Sequence, residues 1–320
     1  MSEMVHAPVV LFTYNRPEHT KRTVEALKQN VGADKTILYV YSDAPRKEEA
    51  RKAVEETRAY LHKVTGFREV IVTTREENFG LAKSIITGTT EVINKHKRAI
   101  ILEDDLITGK YFLQYMNEAL ERYWDDKKVF SITGYSHFPE GNKKLPESYF
   151  LKVFSSWSWA TWEDRWALFD PNATGWQQVK TDVDLAYRFN YEGRQYNTNM
   201  LLDQMESHTI DSWAIRAYWT QFRHDMVTLF PNKRLVDNEG FDGSGVHCNT
   251  KGDYLAGTLL EEPITMFPNE GVETTEAREE MLAQLDAKKA AYKRFLIRHY
   301  LTHPAEGAKK VMEKLRGKKN

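Results

Sequence analysis

Three adjacent carboxylates follow an apolar stretch in the first half of the chain. Residues 99–102 are all apolar, which predicts a strand buried on both faces, and Glu103, Asp104 and Asp105 come directly after them. Two unit charges about 4 Å apart repel by about 4 kcal/mol at an effective dielectric constant of about 20, so we expect a cation beside these side chains. Hard carboxylate oxygens suit Mg²⁺ or Mn²⁺, which usually share their coordination with the phosphates of a substrate.

The alternative is an acidic helix N-terminus whose carboxylates point into water, because a helical pattern begins at Lys110. Solvated acidic clusters usually lie in polar surroundings, whereas this one ends a buried strand, which is where open α/β sheets hold their ligands. We therefore favour a ligand site. A nucleotide-diphosphate substrate, bound together with a divalent ion, is the natural candidate.

Two further predicted strands end in polar residues. Tyr14, Asn15 and Arg16 follow the strand at residues 9–13, and Asp43 follows the next one. In a parallel sheet these ends share one edge with the three carboxylates, and backbone N–H groups and a guanidinium there can meet a nucleotide. No glycine-rich phosphate-binding pattern is present. Taken alone, Asp43 would be interpreted as an N-cap or turn residue, but the convergence of strand ends favours a functional role.

The second half of the chain contains three more groups of candidates. Residues 155–166 hold four tryptophans, and at least one is expected to line a cleft because the four cannot all face the same way. Glu163 and Asp164 fit either the first turn of a helix or a pair of catalytic carboxylates. Asp211 precedes a helical pattern and fits an N-cap and a general base equally well. His247, in a glycine-rich loop, could close over a phosphate or complete a metal shell, although a lone histidine is usually structural.

The elements needed to position these residues follow from hydrophobic periodicity. Strand and helix alternate four times up to residue 102, which predicts right-handed crossovers and an α/β fold with a mostly parallel central sheet flanked by helices. We predict one main domain at residues 1–260, with a donor half at about 1–134 and an acceptor half at about 135–260. A helical, basic C-terminal extension follows at 261–320.

Composition narrows the classes of partner. The chain has 45 Lys and Arg against 46 Asp and Glu, which gives no case for nucleic acid. From Lys288 onward there are 11 basic residues and 2 acidic ones, typical of a basic helix that lies on an anionic membrane surface, although packing against the acidic body of the protein explains it equally well. The single cysteine, Cys248, excludes an internal disulfide and fits a reducing compartment. The first apolar run is too short for a signal peptide, so we predict a cytoplasmic protein, either free or peripheral on a membrane.

Taken in this order, the segments resemble the GT-A glycosyltransferases, most closely the N-acetylglucosaminyltransferase I group. The opening VVLFTYNRPEHTKRTVEAL is similar to that group's first strand and helix, which implies donor contacts at Thr13, Tyr14, Asn15 and Arg16. YSDAP resembles the segment whose aspartate contacts uracil, here Asp43. EDDL resembles the group's metal and ribose-phosphate segment, which implies that Asp105 ligates the metal, with Glu103 and Asp104 beside it.

The likeness continues to about residue 250. The tryptophan-rich stretch is similar to the segment near the donor sugar, which implies a role there for Trp159. IDSWAIR resembles the group's Asp-Asp-Trp segment, whose second aspartate is the base. That second position is Ser212 here. Asp211, at the first position, is the residue assigned as the base, with Glu163 and Asp164 in reserve. The Gly-Val-His sequence resembles the group's closing loop and assigns His247 to the donor.

The resemblance implies an enzyme that uses Mn²⁺ or Mg²⁺ and transfers a sugar, with N-acetylglucosamine the best candidate, from a UDP-sugar to a hydroxyl of a glycan or glycolipid, with inversion. Two alternatives remain open at the level of sequence. A sugar-phosphate nucleotidyltransferase would use the same acidic strand end and would release pyrophosphate. A non-catalytic carbohydrate-binding protein on the same scaffold would bind glycan through its tryptophans, since fold alone does not specify function.

Overall fold

The computed structural model describes residues 5–138, 140–242 and 258–302, except for the side chains of residues 298, 300 and 301. The chain divides into two compact units, Met1–Ala277 and Arg278–Asn320. The predicted domain division at residue 260 and the predicted donor and acceptor halves remain predictions.

The strands of the described residues form one large sheet and one small sheet. The large sheet has eight strands in the order β3-β2-β1-β4-β8-β6-β9-β7, and the small one pairs β10 with β5. Their bounds are β1 Val9–Thr13, β2 Ile37–Ser42, β3 Glu69–Thr74, β4 Arg98–Glu103, β5 Leu106–Thr108, β6 Val129–Thr133, β7 Ser148–Leu151, β8 Trp159–Trp162, β9 Val227–Pro231 and β10 Val236–Asn238.

The large sheet is mixed, which corrects the prediction of a mostly parallel sheet. The first four strands in spatial order are parallel, with Leu11 between Val40 and Leu102. β8 then runs antiparallel to both β4 and β6, and β7 runs antiparallel to β9, whereas β6 and β9 are parallel. β7 and β8, which both come after β6 in the chain, run opposite to it, and β8 lies between two strands of the other direction, β4 and β6.

The helices cover both faces of the sheet. α1 begins at Pro17, a residue whose fixed φ suits the first helical position and whose missing N–H is not needed there. The helices of the described residues are α1 Pro17–Lys28, α2 Arg51–Leu61, α3 Gly80–His96, α4 Phe112–Arg122, α5 Glu163–Trp166, α6 Val183–Phe189, α7 Asn197–Met205, α8 Trp213–Arg223 and α9 Thr275–Thr302. None of them is long and apolar enough to cross a membrane.

Alternating side chains of the central strands belong to two different hydrophobic clusters. Val9 and Leu11 pack in the cluster that includes the buried face of α4, and Val10 and Phe12 pack in the cluster that includes α3. All five residues of β1 are buried. The long apolar runs in the central strands are explained by this burial on both faces.

Candidate functional site

The carboxyl ends of β1, β2 and β4 lie side by side at one edge of the sheet. Thr13 is opposite Ser42, and Phe12 is opposite Glu103, so the polar residues that follow these strands emerge together. The structure therefore brings the predicted residues at 13–16, 43 and 103–105 to one edge. We call Glu103, Asp104 and Asp105 the acidic cluster, and this edge the carboxyl edge.

Arg16 is the cation beside the acidic cluster. Its Nη2 donates hydrogen bonds to Asp104 Oδ1 and to Asp105 Oδ2, the second at 2.9 Å. The three side chains are largely buried, with exposed fractions of 19% for Arg16, 5% for Asp104 and 14% for Asp105. From sequence alone, Arg16 is no more remarkable than a surface arginine; its position directly after β1 is the signal that places it here.

One guanidinium does not fully offset three carboxylates. Burial, followed by the charges of Asp105 and Asp104, raises the pKa of Glu103 to about 8, although Arg16 acts in the opposite direction. Burial also raises the pKa of Asp104, to about 6, although Arg16 acts in the opposite direction. Burial lowers the pKa of Arg16, but Asp104 and Asp105 outweigh it and the net shift is upward. The cluster therefore retains affinity for a proton or for a further cation.

The segment between β1 and α1 is fixed by hydrogen bonds to the carboxyl edge. Thr23 Oγ1 donates to the backbone oxygen of Asp104 at 2.8 Å, and the Tyr14 N–H donates to the Asp104 carboxylate. The hydroxyl of Tyr14 accepts from the Arg46 N–H at 2.9 Å. Thr13 Oγ1 is buried and has no hydrogen-bond partner in the described structure. This segment thus places Arg16 beside the acidic cluster.

A second segment, residues 238–242, lies against Asp105. It is held by the pairing of β10 with β5, and the Glu239 N–H donates to the backbone oxygen of Asp105 at 2.9 Å. A Cβ atom at Gly240 would lie 2.3 Å from Asp105 Oδ2, so only glycine fits there without movement. Ion pairs with α1 hold the segment: Arg22 with Glu239 at 2.5 Å and His19 with Asp242 at 3.1 Å.

Sequence reasoning missed these ion pairs, whose partners are more than 200 residues apart in the chain. The sequence left two roles open for the glycine-rich loop, closing over a phosphate and completing a metal shell, and residues 238–242 are the described part of that loop. His247 lies outside the described residues, so its assignment to the donor remains a prediction.

Asp43 ties the end of β2 to the start of α3. Its buried carboxylate accepts hydrogen bonds from the backbone N–H groups of Ala44, Phe79 and Gly80 at 2.9–3.1 Å. Each carboxylate oxygen already receives two of these contacts, so the side chain holds the local structure as a cap would. A contact between Asp43 and uracil remains a prediction.

Trp159 is in the core, contrary to the prediction that it lies at the donor sugar. It is 1% exposed and packs against Trp166 and Trp213, with ring centroids 5.3 and 5.1 Å away. Trp157 is the tryptophan of the segment at the carboxyl edge, because it is only partly buried and contacts Tyr135 at 4.9 Å and Phe241 at 5.6 Å between ring centroids. The sequence could not show which ring faces outward, because that depends on where β8 begins.

Glu163 and Asp164 lie at the opposite edge of the sheet. Trp162, the last residue of β8, is opposite Arg98, the first residue of β4, so the acids that follow β8 emerge at the amino end of β4. Glu163 pairs with Lys97 at 2.7 Å, and Asp164 pairs with Lys127 at 2.7 Å. The structure does not bring either carboxylate to the acidic cluster.

Asp211 lies just before α8, and the N-cap of that helix is Ser212. The Ser212 side chain accepts a hydrogen bond from the Ile215 N–H at 3.3 Å. Asp211 is 69% exposed and contacts Arg216 at 3.3 Å. Because α8 leads into β9, which is parallel to β6, the start of α8 lies at the carboxyl edge. The sequence left the N-cap and general-base roles of Asp211 open, and the cap belongs to its neighbour.

The donor set of the acidic cluster fits a divalent cation. Asp104 and Asp105 direct one oxygen each at the same point, which is a positively charged nitrogen of Arg16. Within the described residues, no group of three or more His, Cys, Asp and Glu side chains is arranged to hold a metal ion. Mg²⁺ is commonly held by one or two carboxylates together with substrate phosphates, and two converging carboxylates meet that requirement.

Comparison with known proteins yields only distant similarities. No protein-family model matches the sequence, and no curated protein is significantly similar to it. Among solved structures, it is similar to S. aureus TarS at 11% identity and a TM-score of 0.39, covering 72% of this chain and 36% of that one. It is similar to the mannosyltransferase PcManGT from Pyrobaculum calidifontis, solved with GDP-Man and Mn²⁺, at 11% identity and a TM-score of 0.37, covering 69% and 74%.

Mouse xyloside xylosyltransferase 1 is similar at 10% identity and a TM-score of 0.36, covering 71% of this chain and 84% of that one. This chain thus spans little more than a third of the TarS chain. TM-scores below 0.5 decide neither the fold family nor the activity of this chain, and the likeness to the N-acetylglucosaminyltransferase I group remains a prediction from sequence.

Proposed function

We propose that this protein is a metal-dependent glycosyltransferase that transfers a sugar, with N-acetylglucosamine the best candidate, from a UDP-sugar to an acceptor hydroxyl with inversion. The observation that carries the proposal is the pair of buried aspartates at the carboxyl edge, which direct two oxygens at one cation. Carboxyl ends of parallel strands are where open α/β sheets bind nucleotides.

The residues of the carboxyl edge have separate roles in this proposal. Asp105, with Asp104 beside it, would hold Mn²⁺ or Mg²⁺, whose charge stabilises the diphosphate leaving group. Arg16, whose guanidinium contacts both carboxylates, would help to hold the same phosphates. Its Nη1 is buried without a hydrogen-bond partner in the described structure, which leaves a donor available for an anion.

Asp211 is the proposed general base. In the reaction, the acceptor oxygen bonds to the anomeric carbon as the bond from that carbon to the diphosphate oxygen breaks. The acceptor proton passes to Asp211, and UDP leaves. General-base catalysis typically contributes roughly 10²–10⁴-fold to rate. Asp211 fits this role because it is exposed at the carboxyl edge and paired only loosely with Arg216.

The test is a donor screen on the purified protein. UDP-N-acetylglucosamine, UDP-glucose, UDP-galactose and GDP-mannose are each incubated with Mn²⁺, and the release of nucleoside diphosphate is measured with and without a chelator. We expect metal-dependent release from a UDP-sugar that is lost in Asp105→Ala and kept in Glu163→Gln. Pyrophosphate release would instead indicate a nucleotidyltransferase, and saccharide binding without turnover would indicate a carbohydrate-binding protein.

The exposed part of α9 supports a proposal about location. Tyr292 and Phe295 are 59% and 60% exposed and lie beside Lys289, Lys293 and Arg294. Aromatic residues next to basic ones suit the interface of an anionic membrane, so we propose a peripheral cytoplasmic position, with a glycolipid acceptor. Co-sedimentation with phosphatidylglycerol vesicles, but not with phosphatidylcholine vesicles, is the expected result.

A further inference from the structure

A cavity of about 410 Å³ lies beside the start of α8 and the residues that lead into α7. Its size is within the range of small-molecule sites. Apolar and polar side chains line it together, and those that matter most for recognition are Phe154, Ser156, Gln195, Tyr196, Met200 and Ile215.

The composition of this lining suits an uncharged sugar ring. A pyranose presents hydroxyl groups around its rim and an apolar C–H face, so it binds best to a mixture of hydroxyl, amide and aromatic groups. Ser156 and Gln195 supply the first two, and Tyr196, a residue that is 75% exposed, supplies the third. No Asp or Glu of the described chain lines the cavity, and its one arginine, Arg194, pairs with Glu192 at 3.4 Å.

A row of aromatic rings connects the cavity to the acidic cluster. Phe241 follows Gly240, which touches Asp105, and its ring is 5.6 Å from that of Trp157. Trp157 is 4.9 Å from Tyr135, and Tyr135 is 5.2 Å from His137, which lines the cavity. The cavity and the acidic cluster are therefore linked by one continuous row of rings.

The proposed base lies at the same end of α8 as the cavity wall. Ala214 and Ile215 line the cavity in the first turn of α8, and Asp211 lies directly before that turn. A hydroxyl of a molecule in the cavity would thus face the segment that carries the base.

We propose that this cavity is the acceptor site and that it binds an uncharged pyranose, with Tyr196 packed on the sugar face and Ser156 and Gln195 bonded to its hydroxyls. The proposal rests on the proposed function, since it names the acceptor of that reaction. It separates donor binding at the acidic cluster from acceptor binding at the far end of the aromatic row.

Saturation-transfer NMR with methyl glycosides of N-acetylglucosamine, glucose, galactose and mannose tests this assignment on the full chain. We expect at least one glycoside to bind the wild-type protein. Its affinity should fall at least tenfold in Tyr196→Ala, which removes an exposed ring, and in Ala214→Trp, which fills the cavity. Tyr187→Ala, which removes a half-exposed tyrosine of α6 outside the cavity, is the matched control and should bind normally.

Thermal unfolding of each variant shows whether the fold is intact, and Tyr196→Ala keeps the test valid if the Ala214→Trp protein does not fold. Binding of no glycoside, or equal binding by all three variants, would overturn the acceptor assignment. Release of UDP from the donor in the absence of acceptor is measured in parallel. If the wild-type protein releases no UDP from any donor, the proposed function is contradicted. The saccharide-binding result does not depend on that outcome.

Discussion

Two groups of acidic residues in this protein follow strands of the same sheet, and they have opposite environments. The acidic cluster follows β4, whereas Glu163 and Asp164 follow β8. Because β8 is antiparallel to β4, the two groups emerge at opposite edges. The side chain of Asp104 is 5% exposed, against 40% for Glu163 and 49% for Asp164. Acidic residues after an apolar strand are therefore not enough to define a site. The direction of the strand determines the edge of the sheet at which they emerge.

Glu103 and Asp164, one from each group, have pKa values shifted in opposite directions. Burial and neighbouring carboxylates raise the pKa of Glu103. Burial also tends to raise the pKa of Asp164, but hydrogen bonds from Lys127 and Arg165 outweigh it and the net shift is downward. The carboxylates at the amino end of β4 are already paired, whereas the acidic cluster still favours an added positive charge.

The largest expected effect comes from removing Asp105, the carboxylate of the acidic cluster that is proposed to ligate the metal. Asp105→Ala should abolish both transfer and donor hydrolysis, because it removes one of the two oxygens that converge on the cation. The measurement is release of UDP from the donor with Mn²⁺ present. Near-normal turnover in this variant, or in wild-type protein treated with a chelator, would contradict the distinction between the two edges.

The next largest effect is expected for Asp211→Asn, which tests whether a carboxylate must be buried, or only lie at the carboxyl edge, to contribute to turnover. Asp211 lies at the carboxyl edge but is more exposed, at 69%, than Glu163 and Asp164 at the opposite edge, so its contribution shows whether position or burial matters. Asp211→Asn should lower kcat by roughly 10²–10⁴-fold. UDP affinity, measured by calorimetry, should be unchanged because the acidic cluster is intact. Unchanged turnover would assign the base to another residue.

A smaller effect on stability should follow when the cation of the acidic cluster is removed. Breaking a buried ion pair by deleting one partner costs about 3–5 kcal/mol, and because Arg16 is partly exposed we expect about 2 kcal/mol in Arg16→Met. Added Mn²⁺ should restore more stability to this variant than to the wild type, since it replaces the lost charge. Chemical denaturation with and without Mn²⁺ measures both. A loss below about 0.5 kcal/mol would mean that water already screens the cluster.

The smallest effect is expected at the opposite edge. Glu163→Gln removes an exposed pair with Lys97, and such pairs contribute about 0–1 kcal/mol. Turnover should stay within about twofold of the wild-type value, and the melting temperature should change little. A loss of activity comparable to that of Asp105→Ala would show that the two edges are coupled.

The prediction of the fold was correct for the part of the chain in which strands and helices alternate. The alternation of strands and helices up to β4 predicted an α/β sheet, and its parallel half is confirmed by the register of β1 with β2 and β4. The prediction was wrong for the second half, because β8 is inserted between β4 and β6 and reverses direction there. Apolar strands with both faces buried look alike in sequence whichever way they run.

The sequence by itself determined that three carboxylates end a buried strand, that they need a positive charge, and that polar residues follow the neighbouring strands. Those conclusions depend on local periodicity and on charge repulsion, which act along the chain. Only the tertiary structure decided that Arg16 is the cation, that Trp157 and not Trp159 faces the site, and which acids share an edge. Arg16 is 88 residues from Asp104. Contacts over such separations depend on strand order and direction, which no single segment encodes.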